Sequence, residues 1–517
     1  MMARRGFTLI ELLAVIVILA IIALIATPMI LGVIGSAKKG AAESSTYGFI
    51  DAIAKSSLQK MIENGNYETK PDGTYDLTTL TEVKYKGKIP TTVCVVIKAG
   101  NVESGSFEFD QYIVDYQNGK AKVNPEKTEI NCEVTTPSPE ENEFNADKGV
   151  NSPKLTEGMI PIKWDSSNNE IETTVNDPDW YDYNAKKWAN VKTADGSYFV
   201  WIPRYIYKIS SGWHTSNAGT IEIQFTKNTD DNWNSPVIGN IDTDSGANAS
   251  NNKWTNHPAF TFGTDELNGI WVAKFEASGT INAIDIKPNV SSLRSLNINS
   301  MFEASRNMEK NSKYGWGATG TGIDTHMMKN IEWGAIAYLS QSKYGKETEE
   351  VWINPANSYV TGCAGNSVSS NVTTGCLNQY QTLNGVKAST TGTIYGIYDM
   401  SGGADEYVMA NLSKLSGSSG ITDVSLIDPK YIDIYSGYSA STKGDAMYET
   451  SSAAEGQLGW YNDTTMPFNT TKPWLRRGGY HTDATKAGIF HFFYNDLAGG
   501  AGVAFGFRPV LLVNENL

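Results

Sequence analysis

The chain has 517 residues, a length that suggests about three structural units. Hydrophobic residues make up 40% and charged residues 19%, and Tyr, Trp and Gly are abundant, which is typical of a soluble, loop-rich β protein. The net charge of −14 repels nucleic-acid backbones and no run of Lys and Arg forms a basic patch, so nucleic acid is excluded as an expected partner.

The first feature along the chain is an apolar segment. No charged residue occurs from Leu12 to Ala37. At roughly 1.5 Å per residue, a helix of this length exceeds the ~30 Å hydrocarbon thickness of a bilayer. The basic stretch at residues 1–6 is too short for the start of a secretory signal, and no small-residue cleavage site follows the apolar run. The pattern therefore predicts a retained membrane-spanning helix.

Glu11 lies at the beginning of this apolar helix. An ionised carboxylate inside a membrane costs a few kcal/mol unless it finds a partner. Cleavage after Gly6 would give Phe7 a free α-amino group, which the Glu11 carboxylate of a neighbouring copy could neutralise. We expect such a pair to set the register between neighbouring helices.

The sequence RRGFTLIELL at residues 4–13 closely resembles the N-terminal motif of type IV prepilins and pseudopilins. The resemblance implies that a prepilin peptidase cuts after Gly6, that Phe7 is methylated and that Glu11 serves in assembly with other pilin subunits. It also implies a bacterial protein that is single-pass in the cell membrane before assembly. The same protein would later be found in an extracellular pilus or on the cell surface.

A small pilin domain is expected after the apolar run. Apolar residues at near-helical spacing extend the helix, so we assign residues 7–65 to one helix that Asn64-Gly65 ends. Residues 66–134 have strand patterns, including Thr91–Ile97 and Gln111–Tyr116, with Asn101–Gly105 expected as a turn. These patterns predict a small antiparallel sheet on the helix.

The four cysteines form two sequence-local pairs. They lack CxxC spacing, and no histidine lies close to either pair in the sequence, which makes metal binding a weak alternative. Cysteines of an extracytoplasmic chain are oxidised. We therefore expect two structural disulfides, Cys94–Cys132 and Cys363–Cys376.

The rest of the chain is predicted as a linker and one large domain. Residues 135–157 are acidic, contain Pro137 and Pro139 and lack apolar periodicity, which indicates a linker. Residues 158–517 combine short apolar runs, long Asn/Ser/Thr/Gly-rich loops and one helical pattern at Asn330–Leu339. The predicted fold class of the whole chain is therefore α+β.

Several segments of the large domain resemble motifs of the formylglycine-generating enzyme, or sulfatase-modifying-factor, family. They are Gly396–Tyr407, Arg477–Tyr480, Gly506–Val510 and the helix at Asn330–Leu339. The resemblance implies a C-type-lectin-like fold. Catalytic members of that family use a cysteine pair between the second and third motifs, and residues 474–517 contain no cysteine. An enzyme is therefore not expected, because a shared fold does not establish its chemistry.

The segment between Arg477 and Arg508 is the expected ligand face. In proteins resembling this one, including the variable receptor-binding proteins of diversity-generating retroelements, this region contacts the ligand. Aromatic and amide side chains suit such recognition, although some aromatic residues here alternate like core strand residues. The candidate ligand-binding residues are Tyr480, His481, Asp483, His491, Phe493, Tyr494, Asn495 and Asp496.

Metal binding is left open by the sequence. The many loop Asp and Asn residues are compatible with a structural calcium ion, but they indicate no location for it. Trp460–Asp463 resembles a calcium-linked lectin motif that Tyr461 interrupts, so a turn is expected there. No other cofactor is expected.

Two functions fit these features. The first is a minor or tip-located pilin-like subunit that displays a lectin-like domain to an extracellular glycan or protein ligand. The second is a pseudopilin of a secretion or DNA-uptake machine, whose large domain contacts cargo. The number and position of the copies on isolated filaments distinguish the two.

Overall fold

The structure is a computed structural model, and it describes residues 9–64, 73–76, 88–98, 101–117, 119–130, 132, 144–231, 253–316, 322–437, 443–452, 458–494 and 497–513. The chain divides into two compact units, Met1–Glu141 and Asn142–Leu517. The combination of long helix, short helices and mainly antiparallel sheets confirms the α+β class.

The described part of the first unit contains one long helix and one sheet. Helix α1 runs from Leu9 to Asn64. The five strands pair in sequence order, each antiparallel to the next. They are β1 Gly73–Asp76, β2 Thr92–Lys98, β3 Asn101–Phe109, β4 Tyr112–Gln117 and β5 Lys120–Asn124.

Helix α1 and this sheet share a small core. Phe49 and Ile53 of the helix are buried with Val95 and Phe107 of the sheet, and the rings of Phe49 and Phe107 meet edge to face at 6.3 Å. Their apolar contact explains why the C-terminal half of the helix has an apolar stripe. Across the described residues, no helix combines the length and the apolarity needed to cross a membrane.

Helix side chains also cover the edge of the sheet. The backbone N–H of Val123 donates to Glu43 Oε1 at 2.9 Å, and that of Ala121 donates to the Tyr47 hydroxyl at 2.8 Å. Both donors belong to the edge strand β5. The helix therefore supplies acceptors that a further strand would otherwise provide.

One expectation for this unit is wrong. Asn101–Gly105 is not a turn, because these residues form the first half of β3 and pair with β2. A Cβ atom at Gly105 would lie 2.8 Å from both the Cys94 carbonyl oxygen and Val95 Cγ1. Glycine is thus required by close strand packing here and not by a turn.

In its described residues, the second unit has many short strands and two α-helices, α2 Ile298–Asn307 and α3 Asn330–Ser340. Its strands are β6 Phe144–Asn145, β7 Val150–Asn151, β8 Ile160–Trp164, β9 Glu170–Glu172, β10 Asn190–Lys192, β11 Tyr198–Pro203, β12 Tyr205–Ser211, β13 Thr220–Phe225, β14 Thr255–Asn256, β15 Thr261–Phe262, β16 Asp265–Glu266, β17 Gly269–Ala273, β18 Ser278–Thr280, β19 Ala283–Asp285, β20 Ile323–Met327, β21 Cys363–Ala364, β22 Asn378–Gln379, β23 Asp405–Leu412, β24 Asp433–Tyr435, β25 Thr465–Met466, β26 Trp474–Gly478, β27 Gly488–Tyr494, β28 Phe505–Phe507 and β29 Pro509–Val513.

Two larger sheets organise these strands. One has the order β20-β29-β17-β11-β10-β8-β9. The other has the order β24-β23-β26-β27-β25, with β28 pairing with β23. Helix α3 is buried along its whole length, which confirms the helix expected at Asn330–Leu339.

The predicted linker is partly folded. Residues 144–151 form the β6–β7 hairpin, where Val150 is buried in the core of the second unit. The Asn151 amide donates to the carbonyl oxygens of Asn228 and Asn268, both at 3.0 Å. The lack of apolar periodicity predicts a linker here, and one buried valine does not produce such a periodicity.

Both predicted disulfides are present. Cys94 is bonded to Cys132 in the first unit, and Cys363 to Cys376 in the second. Each closes a loop within its own unit, so each constrains the unfolded chain locally.

Candidate ligand-binding face

The predicted processing site precedes the first described residue, Leu9. Gly6 and Phe7 lie outside the described residues. Glu11 is in helix α1, but its side chain is likewise outside the described part.

The predicted ligand residues follow a glycine turn. Gly478 and Gly479, at the end of β26, have φ angles of 83° and 70°. A Cβ atom at Gly479 would lie 2.9 Å from Asp483 Oδ2 and 3.0 Å from Ala487 Cα. Only glycine adopts this conformation and fits this space without strain. The turn places residues 480–487 between β26 and β27.

Six rings then form two arms. In the first arm His481 lies between two tyrosines, with ring centroids 4.7 Å from Tyr359 and 5.4 Å from Tyr480. In the second arm the Phe493 ring lies 6.3 Å from His491 and 4.8 Å from Tyr494. The two tyrosines of the first arm, Phe493 and Tyr494 are half-buried, so their edges reach the surface.

Asp483 connects the two arms. Its carboxylate accepts the backbone N–H of Tyr480 at 3.1 Å. Burial raises the pKa of Asp483, and its carboxyl group lies close enough to the imidazole of His491 to interact with it. We name the surface formed by both arms and Asp483 the aromatic face.

An ion pair lies beneath the second arm. Arg476 Nη1 is 2.5 Å from Asp405 Oδ2, and its guanidinium carbon lies 5.2 Å from the centroid of the Phe493 ring and 4.4 Å from that of Phe505. His491 Nε2 is 4.0 Å from Asp405 Oδ1. The rings thus cover a buried charge pair, which fixes their orientation from below.

The two histidines are neutral members of this arrangement. His491 Nδ1 is 2.8 Å from the Lys486 carbonyl oxygen, so it carries the proton. Burial lowers the pKa of His491 to about 4, and it also lowers the pKa of His481. Their exposed fractions are only 2% and 8%. They are therefore placed below the surface and support the half-buried rings.

Two of the predicted ligand residues, Asn495 and Asp496, lie outside the described residues. The structure brings the other six together with residues that the sequence did not indicate. Tyr359 comes from the loop before Cys363, and Arg294 stacks on it with its guanidinium carbon 3.8 Å from the ring centroid. No sequence signal identifies them, because only the fold brings these distant segments to the same surface.

The Trp460–Asp463 segment is a turn, as expected. Tyr461 and Asn462 have φ angles of 62° and 70°, and buried Asp463 accepts the backbone N–H of Phe490 at 2.9 Å. In the part of the chain that the structure describes, no group of three or more His, Cys, Asp or Glu residues is arranged to hold a metal ion.

Comparison with known protein families finds a match at the N-terminus. Residues 1–27 match the family described as the prokaryotic N-terminal methylation motif. The N-terminus is thus type IV pilin-like, and the motif implies processing by a prepilin peptidase and assembly with other pilins. A search of curated protein sequences finds no match.

Among solved structures, the chain is similar to variants of the Major Tropism Determinant. The I1 variant has 11% identity and a TM-score of 0.23, covering 81% of this chain and 83% of that chain. The P3c variant has 11% identity and a TM-score of 0.24, covering 87% and 85%.

Proposed function

We propose that this protein is a minor or tip-located type IV pilin-like subunit that displays its large second unit for recognition at the cell surface. The observation that carries the proposal is the occurrence of the N-terminal methylation motif in the same chain as a unit bearing the aromatic face.

Assembly is the role of helix α1. Its large apolar side chains are exposed at intervals from Leu9 to Ile34, with exposed fractions of 84% at Leu9 and 45% at Ile34. Such a surface requires an apolar environment. We propose that lipid provides this environment before assembly and that the helices of other pilin subunits provide it in the filament.

In this proposal the charged residues at the N-terminus orient the helix and set its pairing with a neighbouring subunit. Arg4 and Arg5 keep the short leader on the cytoplasmic side. After cleavage at Gly6, Glu11 neutralises the new Phe7 amine of an adjacent subunit as the helix leaves the lipid.

Recognition is the role of the second unit, for which we propose a C-type-lectin-like fold. The resemblance of its motifs supports this fold, as does their meeting in one core through Arg508 and Glu406. A unit spanning Asn142–Leu517 on every subunit would crowd a filament, which favours few copies at the tip. Half-buried aromatic side chains offer contact area at low entropic cost and suit the binding of an extracellular ligand.

The experiment is immunogold labelling of the second unit on filaments from the native host. Labels at one filament end support the proposal, whereas labels found only in the cell envelope support a pseudopilin of a secretion or DNA-uptake machine. Glu11→Ala should leave cleavage after Gly6 intact and remove the label from the filaments. Lys39→Ala, which changes an exposed charge on the same helix, should not.

A further inference from the structure

A fully buried lysine of the second unit contacts an amide instead of a carboxylate. Lys274 directly follows β17, and its Nζ donates to Asn190 Oδ1 at 2.8 Å. The same nitrogen donates to the carbonyl oxygens of Ile394 and Gly396 at 2.7 Å and 2.9 Å. Burial removes water from this amine and no ion pair replaces it among the described residues, so the pKa of Lys274 lies well below its usual range. The amine is therefore easily converted to its neutral, nucleophilic form.

Aromatic rings close the space around this amine. Nζ lies 4.7 Å from the centroid of the Trp164 ring and 5.5 Å from that of the Tyr398 ring. Both aromatic side chains are buried. Bulk water is therefore kept away from Lys274 and from the amide beside it, so hydrolysis of that amide does not compete with attack by the amine.

Asn190 holds its carbonyl group towards the amine in a fixed orientation. This residue lies in β10 and is fully buried. Its Nδ2 donates to the carbonyl oxygens of Trp188 at 2.9 Å and Tyr395 at 2.8 Å, which uses both amide hydrogens and leaves Oδ1 facing Lys274. Because Cγ is one C=O bond of about 1.2 Å beyond Oδ1, Nζ lies within about 4 Å of Cγ. That separation is close to the roughly 3 to 3.5 Å of a reactive approach.

We propose that Lys274 and Asn190 form an intramolecular isopeptide bond once the second unit has folded. The Nζ lone pair attacks Cγ, and the electron pair of the C=O π bond moves to Oδ1. The carbonyl oxygens of Ile394 and Gly396 stabilise the positive charge that Nζ gains. When the C=O bond re-forms, the Cγ–Nδ2 bond breaks, a proton passes from Nζ to Nδ2, and ammonia leaves.

This reaction exchanges one amide bond for another, so it needs no oxidant and no other reactant. Aminolysis of an amide is slow between separate molecules. Fixed contact between two groups is equivalent to an effective concentration of about 10⁵ to 10⁸ M, which makes such a step accessible within a folded chain.

The bond ties together two strands that are not neighbours. Strand β11 lies between β10 and β17 in the seven-stranded sheet, and the cross-link passes over it. It joins residues that are 84 positions apart in the chain. Such a cross-link restricts the unfolded chain as a disulfide does, but a reductant does not break it. This inference goes beyond the proposed roles in assembly and recognition and depends on neither of them.

The test is mass spectrometry of the purified full chain after reduction of its disulfides. The chain should be lighter than its sequence by one molecule of ammonia. Trypsin does not cut after an acylated lysine, and a proline follows Lys287. Digestion should therefore give residues 254–294 as one peptide, joined to residues 188–192. Complete cleavage after Lys274, with residues 188–192 released as a free peptide, would overturn the proposal.

Two variants distinguish this bond from other losses of ammonia, such as succinimide formation at an asparagine. Lys274→Met removes the amine and Asn190→Ala removes the acyl group, so each variant should have the full mass of its own sequence. A loss of ammonia that persists in either variant would contradict the assignment. Lys208→Gln is the matched control, because Lys208 lies in the same unit and pairs with Glu222 at 3.0 Å. It should keep both the mass loss and the joined peptides.

The digest of the wild type decides the question even where a variant does not fold. Labelling of filament ends, which tests the proposed function, depends on none of these outcomes.

Discussion

Arg508 and Glu406, 102 residues apart in the chain, form a fully buried ion pair with two hydrogen bonds, Nη2 to Oε1 at 2.6 Å and Nε to Oε2 at 3.1 Å. Arg508 also donates to the carbonyl oxygens of Ala273 and Tyr398, each at 2.8 Å. One partner belongs to the Gly506–Val510 motif and the other to the Gly396–Tyr407 motif. Within this chain the two motifs hold strands together, and this role requires no catalytic chemistry.

Breaking this pair from one side should be costly. Glu406→Gln keeps the side-chain shape but leaves the Arg508 charge without its partner in the core, so we expect a loss of about 3 to 5 kcal/mol in the free energy of unfolding. All 13 tryptophans lie between Trp164 and Trp474, so their fluorescence during denaturation reports on the second unit alone. The double variant Glu406→Gln/Arg508→Met should lose less than the sum of the single losses. Additive losses would contradict direct coupling.

A buried charged histidine should make the second unit sensitive to alkali. His326 lies between Asp324 Oδ1 at 2.8 Å and Glu332 Oε1 at 2.9 Å. Burial opposes its charge, but the two carboxylates prevail and raise its pKa from 6.5 to about 9. Its stabilisation is therefore complete below the unfolded pKa of 6.5 and is lost as the pH rises through about 9.

The measurement is the free energy of unfolding of the full chain between about pH 5 and pH 10, followed by tryptophan fluorescence. The wild type should lose stability over the upper part of this range, and His326→Gln should be less stable near pH 6 and should lose less stability than the wild type as the pH rises through about 9. His214→Gln is the control. The His214 ring stacks on Tyr448, and no carboxylate is paired with it among the described residues. An equal alkaline loss in His326→Gln would refute the role of this imidazolium.

The glycine turn should be needed for the aromatic face. Gly479→Ala combines a φ of 70° with contacts below 3.2 Å to Asp483 and Ala487, and we expect a destabilisation of about 2 to 4 kcal/mol together with weaker ligand binding. Gly375→Ala separates the backbone strain from the crowding around the added methyl group. Gly375 has a φ of 75°, but no atom lies within 4 Å of the added methyl group. Its cost should be only about 1 to 2 kcal/mol, with binding unchanged. Equal effects of the two substitutions would show that packing around Gly479 does not matter.

Gly105 should be essential to the small sheet. Gly105→Ala would press a methyl group against Cys94 and Val95, at a cost of about 1 to 3 kcal/mol. Hydrogen exchange of the β2 and β3 amides in the full chain measures it. Gly40→Ala on helix α1 meets no atom within 4 Å and should leave this exchange unchanged or slower. Unaltered exchange in Gly105→Ala would show that the strands adjust without cost.

Patterns of local origin were predictable from the sequence. Helix α3 has a long apolar pattern, and the two disulfides join cysteines of the same unit. The turn expected at Asn101–Gly105 is wrong because residues typical of turns are overridden by pairing with β2 and, at Ser104 and Gly105, also with β4. Contacts between distant segments bury His481 and His491. The same kind of contact places Arg294 and Tyr359 at the aromatic face. Such contacts leave no periodicity or spacing to detect.

The side chains of Glu43 and Tyr47 finish the sheet of the first unit in the way that a sixth strand would. The β5 amides that face away from β4, those of Ala121 and Val123, already donate to these two side chains. A neighbouring molecule therefore cannot extend the sheet by pairing with them. In the proposed assembly, neighbouring copies would therefore not join into amyloid-like ribbons through this edge, and their association would depend on the helix.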